Sequence, residues 1–144
     1  MVITGMLNSA VYSGADGAAV ETDDHTYSWS DVADRAAHAA GGLDALGMRP
    51  GDRIAVLSHN TIAFYDAYSA LPWGSFVMTC LNTRWSVGEI MHAVDDSGAR
   101  ALLVDDAFGG LAEELRARCP SLAVLIAAGD ERLDATWEDR KSVV

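Results

Sequence analysis

Lysine is all but missing from this sequence. Its ten cationic side chains are arginines except for Lys141, and they face 21 aspartates and glutamates, for a net charge of -11 over 144 residues. One lysine beside the C-terminus removes most lysine-dependent mechanisms. The negative excess repels phosphate backbones and anionic lipid surfaces, which argues against a nucleic-acid or membrane-surface partner. Cysteine is scarce too. Cys80 and Cys119 are too few and too far apart for a disulfide framework or a zinc site, and both read as buried thiols. No run approaches the ~18 consecutive apolar residues of a membrane span. Residues 1–12 lack the basic and apolar regions of a signal peptide, so the expected compartment is the cytoplasm.

What is present suits one domain. Half of the residues are hydrophobic, and a chain of this length buries roughly 68–70% of the surface exposed on unfolding. Residues 1–17 are small and polar and read as a loose arm. Residues 18–22 and 26–29 flank Asp23-Asp24-His25 as a short hairpin. Val32, Ala36, Ala39, Leu43 and Leu46 then mark one face of a helix, with Ser28 or Ser30 to cap it and Gly47 to end it. Gly41 and Gly42 inside that helix each cost about 0.8–1.0 kcal/mol against Ala, and a close helix–sheet contact is expected there in compensation.

Beyond this point the chain alternates. Residues 54–57, 76–81, 101–104 and 122–126 are short and almost wholly apolar, as in strands covered on both faces. Between them, residues 61–73 form a mostly apolar helix with Asn60 as N-cap and Pro72 as terminator or kink. Val87, Ile90, Met91 and Val94 follow a Ser86-x-x-Glu89 capping box, and Phe108, Leu111, Ala112 and Leu115 repeat the helical spacing. The class is therefore α/β: a mainly parallel sheet flanked by helices, with a short N-terminal hairpin. Residues 18–128 make up the subdomain, and residues 129–144 read as a polar tail with no further strand, leading into something else.

Ligands of open parallel sheets sit beyond the strands' carboxyl ends, here Ser58-His59-Asn60, Asn82-Thr83-Arg84 and Asp105-Asp106. A phosphate cradle needs glycines where a strand feeds a helix. The cluster Gly41-Gly42, Gly47, Gly51 instead precedes its strand, with Met48 where a loop lysine would stand. His59 is the one candidate general base, but without a paired nucleophile a structural role is the default. Asp95-Asp96 and Asp105-Asp106 suggest a carboxylate cluster for Mg²⁺; the simpler reading makes them a helix stop and solvated loop residues. Arg84 is a partner for one of them or a surface residue, and Tyr65 and Tyr68 fill core. No catalytic, cofactor-binding or metal-ligating residue is assigned.

Three segments in order resemble the start of an AMP-forming acyl-CoA synthetase of the adenylate-forming ligase superfamily. The first joins Thr26-Tyr27-Ser28-Trp29-Ser30-Asp31 and Ala33-Asp34-Arg35-Ala36-Ala37 to the run from Leu43 through Gly47-Met48-Arg49-Pro50-Gly51-Asp52-Arg53 to Leu57. The second is Asn60 with Ala67-Tyr68 and Leu71-Pro72-Trp73-Gly74. The third is Leu81-Asn82-Thr83-Arg84-Trp85, Glu89-Ile90 and the run from Asp96-Ser97-Gly98 to Asp105. The resemblance covers about residues 18–127 and is nearest the fatty-acid–CoA ligase branch. It implies a two-step ligase: a carboxylate attacks ATP to give an acyl-adenylate and pyrophosphate, and the CoA thiol then displaces AMP. The family's Ser/Thr/Gly-rich phosphate loop ending Pro-Lys-Gly, its acidic ATP motif and its C-terminal lysine have no counterpart here. ATP, Mg and CoA are thus implied for a complete enzyme and none for this chain.

Hence the favoured expectation is the N-terminal scaffold portion of a fatty-acid–CoA ligase, inactive alone. A second is a stand-alone module that self-associates or binds a partner through an unfinished sheet edge. A phospho-receiver-like domain ranks third, because residues 127–129 carry no lysine after the strand at 122–126.

Overall fold

The computed structural model describes residues 3–129 and 133–137. The element order is α1 (Ile3–Gly14), β1 (Ala18–Glu21), β2 (Thr26–Ser28), α2 (Trp29–Ala45), β3 (Arg53–Leu57), α3 (Ile62–Trp73), β4 (Val77–Cys80), α4 (Val87–Ser97), β5 (Ala101–Val104), α5 (Gly109–Arg118), β6 (Val124–Ala127) and β7 (Ala135–Thr136). Strands β1 and β2 form an antiparallel hairpin. The other five make one parallel sheet in the order β4-β3-β5-β6-β7.

Alternation along each strand splits the core in two. Ile54, Val56, Ala101, Leu103 and Ile126 join α1, α2 and α3 on one face. Ala55, Leu57, Leu102, Val104 and Leu125 join α4 and α5 on the other. The central strands β3 and β5 are covered on both sides as expected, but β4 is an edge strand with Val77 exposed.

Local sequence sets the helix ends. Ser28 accepts from the Asp31 N–H at 3.1 Å while the Asp31 carboxylate accepts from the Ser28 N–H at 2.8 Å, a reciprocal box that closes the start of α2. Ser86 and Glu89 repeat it at α4. Those backbone bonds, with the serine hydroxyls second, hold both carboxyls below their ordinary values. Gly98 stops α4 at φ +61°, a conformation a Cβ would strain. The cap of α3 is Thr61 rather than Asn60, because the Thr61 hydroxyl reaches the Phe64 N–H. Pro72 sits in the last turn of that helix, which ends one residue later.

Three other expectations are corrected. Residues 3–14, within the stretch read as a loose arm, are helical and seat Leu7 in the core. The region read as a strandless tail contains β7, paired with β6. At Gly41 an added Cβ would meet open space, so no close contact offsets the helical glycine there.

One buried carboxylate joins these parts. Asp66 in α3 is 2% exposed, and Arg35 in α2 grips it through two N–H groups, Nε at 2.9 Å and Nη2 at 2.5 Å. The Trp137 indole N–H donates to the same carboxylate at 3.3 Å from a site 1% exposed, and the Arg35 guanidinium lies 4.7 Å over the Tyr27 ring. Nearby, Asp134 accepts from the Leu125 N–H and from Arg116, fastening the same returning segment. Removing one member of such a pair strands the other charge in a dry site. Asp66→Ala is therefore expected to cost about 3–5 kcal/mol in urea unfolding, and Arg35→Met with Asp66→Leu clearly less; equal losses would contradict the pairing.

Candidate functional site

Strand β3 is followed by β4 on one side and β5 by β6 on the other, so the winding direction reverses between β3 and β5. Ligand crevices of open α/β sheets lie at the carboxyl ends of such a strand pair. Here the chain leaves β3 through Ser58 and His59 and leaves β5 through Asp105, and the fold brings the three together.

Asp105 Oδ2 accepts from the His59 backbone N–H at 2.8 Å, lies 2.9 Å from His59 Nδ1 and 3.4 Å from Ser58 Oγ. Its Oδ1 accepts from the Ala107 N–H at 3.0 Å. The Ser58 hydroxyl also lies within reach of the His59 carbonyl and the Thr61 hydroxyl. The His59 ring stacks on Phe108, 5.2 Å between centroids. A carboxylate only accepts, so it places the imidazole proton on Nδ1 and turns the Nε2 lone pair outward. The His59 side chain is 60% exposed while that of Asp105 is 11% exposed. The arrangement is an oriented imidazole able to take up a proton at Nε2. No nucleophile is hydrogen-bonded to Nε2 among the described residues.

Three sequence expectations change at this point. Asp105 is not a solvated loop residue but a buried acceptor that ties two strand ends together; only Asp106 is exposed. His59, read as a lone histidine, has an acidic partner. Asp95 and Asp96 stand at the end of α4, before β5, and so at the opposite end of the sheet from Asp105 and Asp106. The proposed carboxylate cluster is therefore not assembled, and among the described residues no group of three or more His, Cys, Asp or Glu is placed to hold a metal. Arg84 is exposed, and its guanidinium makes no ion pair among the described residues. Met48 is core, 1% exposed. Tyr68 is half exposed rather than core filling.

The same ends fit a triphosphate badly. The turns from β3 to α3, β4 to α4 and β5 to α5 contain no glycine before their helices begin, and Gly109 and Gly110 already belong to the first turn of α5. Asp105 and Asp106 put negative charge where an anion would sit. No step through a nucleotide is assigned to these residues.

The cysteines differ from each other. Cys119 is fully buried; burial, with the Asp95 charge and hydrogen bond second, pushes its thiol up to about 11. Cys80 on the edge strand is exposed, contrary to expectation, although local desolvation raises its thiol too.

The fold and this crevice define an open, doubly wound α/β protein. The family is narrower: residues 8–143 match the model of the AMP-binding enzyme family, and the chain belongs to that family. It is 33% identical over 104 residues to the fatty acid–[acyl-carrier-protein] ligase ScoC of Streptomyces coeruleorubidus, covering 72% of this chain and 19% of that one. It is 29% identical over 140 residues to a 3-[(3aS,4S,7aS)-7a-methyl-1,5-dioxo-octahydro-1H-inden-4-yl]propanoyl:CoA ligase of Mycobacterium tuberculosis, covering 95% of this chain and 28% of that one. Among solved structures, apo MbtA of Mycobacterium smegmatis superposes with a TM-score of 0.90 at 29% identity, covering all of this chain and 27% of that one. The chain thus spans under a third of the length of these relatives.

Three outcomes are expected. Asp105→Ala leaves two backbone N–H groups and the imidazole without an acceptor and lowers stability by about 1–3 kcal/mol in urea unfolding; His59→Ala, at an exposed ring, costs less. A larger loss for His59→Ala would reverse that hierarchy. For Cys119, the unfolded thiol ionises near 9.0 and the folded one near about 11. The unfolded state therefore releases its proton first, and stability present below pH 9 declines between those values. Iodoacetamide at pH 8 should label Cys80 and leave Cys119 unlabelled until the chain is unfolded.

Proposed function

We propose that this chain is the N-terminal scaffold portion of an ATP-dependent, AMP-forming acid–thiol ligase of the fatty-acid branch, working in the cytoplasm. The observation that carries the reading is the family match across residues 8–143. A relative named as a fatty-acid ligase supports the fatty-acid assignment. By their names, one relative uses an acyl carrier protein as acceptor and the other CoA; for this chain the proposed acceptor is CoA, in keeping with its likeness to the CoA-ligase branch.

In this reading the chain supplies packing and shape. ATP, Mg and the catalytic lysine belong to parts of the enzyme that these residues do not supply. The poor fit of the strand ends to a triphosphate supports that division of labour, as does the sequence's lack of a Pro-Lys-Gly loop. We further propose that these 144 residues, taken alone, do not form an acyl-adenylate.

ATP–pyrophosphate exchange with the purified chain and dodecanoate should give no signal above a protein-free control; clear turnover would overturn the proposed inactivity. Grafting the chain in place of the matching part of the Streptomyces coeruleorubidus ligase should restore fatty-acid-dependent exchange to within about tenfold of the parent. A folded but inert graft would count against the shared scaffold.

A further inference from the structure

A groove of about 360 Å³ opens between α1, the first residue of α2 and the middle of α3, and it includes none of Ser58, His59 and Asp105. Its walls are apolar and aromatic: Met6, Leu7 and Ala10 from α1, Trp29 from α2 and Tyr68 from α3. Met6 and Tyr68 remain about half exposed, 56% and 49%, although they line it. The two helices therefore do not close on each other across the opening. A volume in this range and walls of this composition are those of a small-molecule site.

Ser69 supplies the polar feature. It is 7% exposed and lines the groove, yet its hydroxyl makes no hydrogen bond with any described residue. A serine hydroxyl within a helix can bond back to a backbone carbonyl, as Ser97 does to Val94. The hydroxyl has no intramolecular partner and is not sealed from solvent, since among the described residues only Ser121 Oγ is both buried and unpaired, so the group is available to a visitor. None of the described residues lining the groove is Lys, Arg or His, and the chain carries a net charge of -11. Burial, with the Asp66 charge second, raises the Tyr65 phenol at the same wall above its ordinary value, so it stays neutral. An anion finds no counter-charge here.

We propose that the groove between α1 and α3 binds a neutral, mainly apolar small molecule carrying one hydrogen-bonding group, which Ser69 receives. A fatty-acid carboxylate is excluded by the lining, so this site is distinct from any acid-activating site and stands or falls independently of the ligase reading.

The test is titration of the 144-residue chain with the neutral fluorescent probe N-phenyl-1-naphthylamine. Saturable binding of one probe per chain is expected. Ala10→Trp fills the groove and should weaken binding at least tenfold, while Ser69→Ala should weaken it about fivefold, the value of one hydrogen bond. Dodecanol should displace the probe at concentrations where dodecanoate does not. Circular dichroism separates a misfolded Ala10→Trp chain from a filled one, and Ser69→Ala decides the matter if that variant misfolds. Absence of saturable binding, affinity unchanged in Ser69→Ala or in folded Ala10→Trp, equal displacement by dodecanoate, or one probe shared between two chains overturns the proposal.

Discussion

A single buried charge organises this molecule. Asp66 sits in a helix whose other buried residues are apolar or small, where an unpaired carboxylate would be costly. It is tolerated because Arg35 from the neighbouring helix and the Trp137 indole N–H converge on it. A buried ion pair adds little net stability over an apolar replacement. What it sets is arrangement: a packing of α2 on α3 that shifts along either helix strands both charges. Through Tyr27 and Trp137 the same pair reaches the hairpin and the segment that returns after β6, so elements far apart in the chain share one requirement.

That requirement sets the layers that flank the sheet. With α1, α2 and α3 fixed on one face of the sheet and α4 and α5 on the other, the carboxyl ends of β3 and β5 are held at a constant spacing. Asp105 uses that spacing to bridge two strand ends, and its acceptor capacity is taken up by backbone N–H groups, a hydroxyl and the His59 ring. The crevice that gives many α/β proteins their ligand site is here spanned by that carboxylate, with the His59 ring left exposed beside it.

Much of the fold was legible in the sequence because its signals are local. The four apolar residues of β5, the two capping boxes and the glycine stop of α4 are each set by neighbours within a few positions. Long-range facts were hidden. His59 and Asp105 stand 46 residues apart, and nothing in either local context announces the other. β4 has the composition of an interior strand, yet no strand pairs beyond it among the described residues, and composition cannot separate a central strand from an edge one. β7 is two residues long, below what periodicity can detect. Two misses had signals in plain view. Ile3, Met6, Leu7, Ala10 and Val11 follow the i, i+3, i+4, i+7, i+8 spacing of a helix face, masked by small polar neighbours. Asp66 is the lone acid in an apolar helix, the pattern that marks a buried charge with a partner elsewhere.

The claim that one buried carboxylate ties the returning segment to the helices is tested most directly by hydrogen exchange at the Trp137 indole N–H in the native chain. It should be protected to the same free energy as the amide of Leu103 in β5, both exchanging only through global unfolding. An indole N–H that exchanges orders of magnitude faster than Leu103 would show the segment unseated from Asp66 and contradict the account.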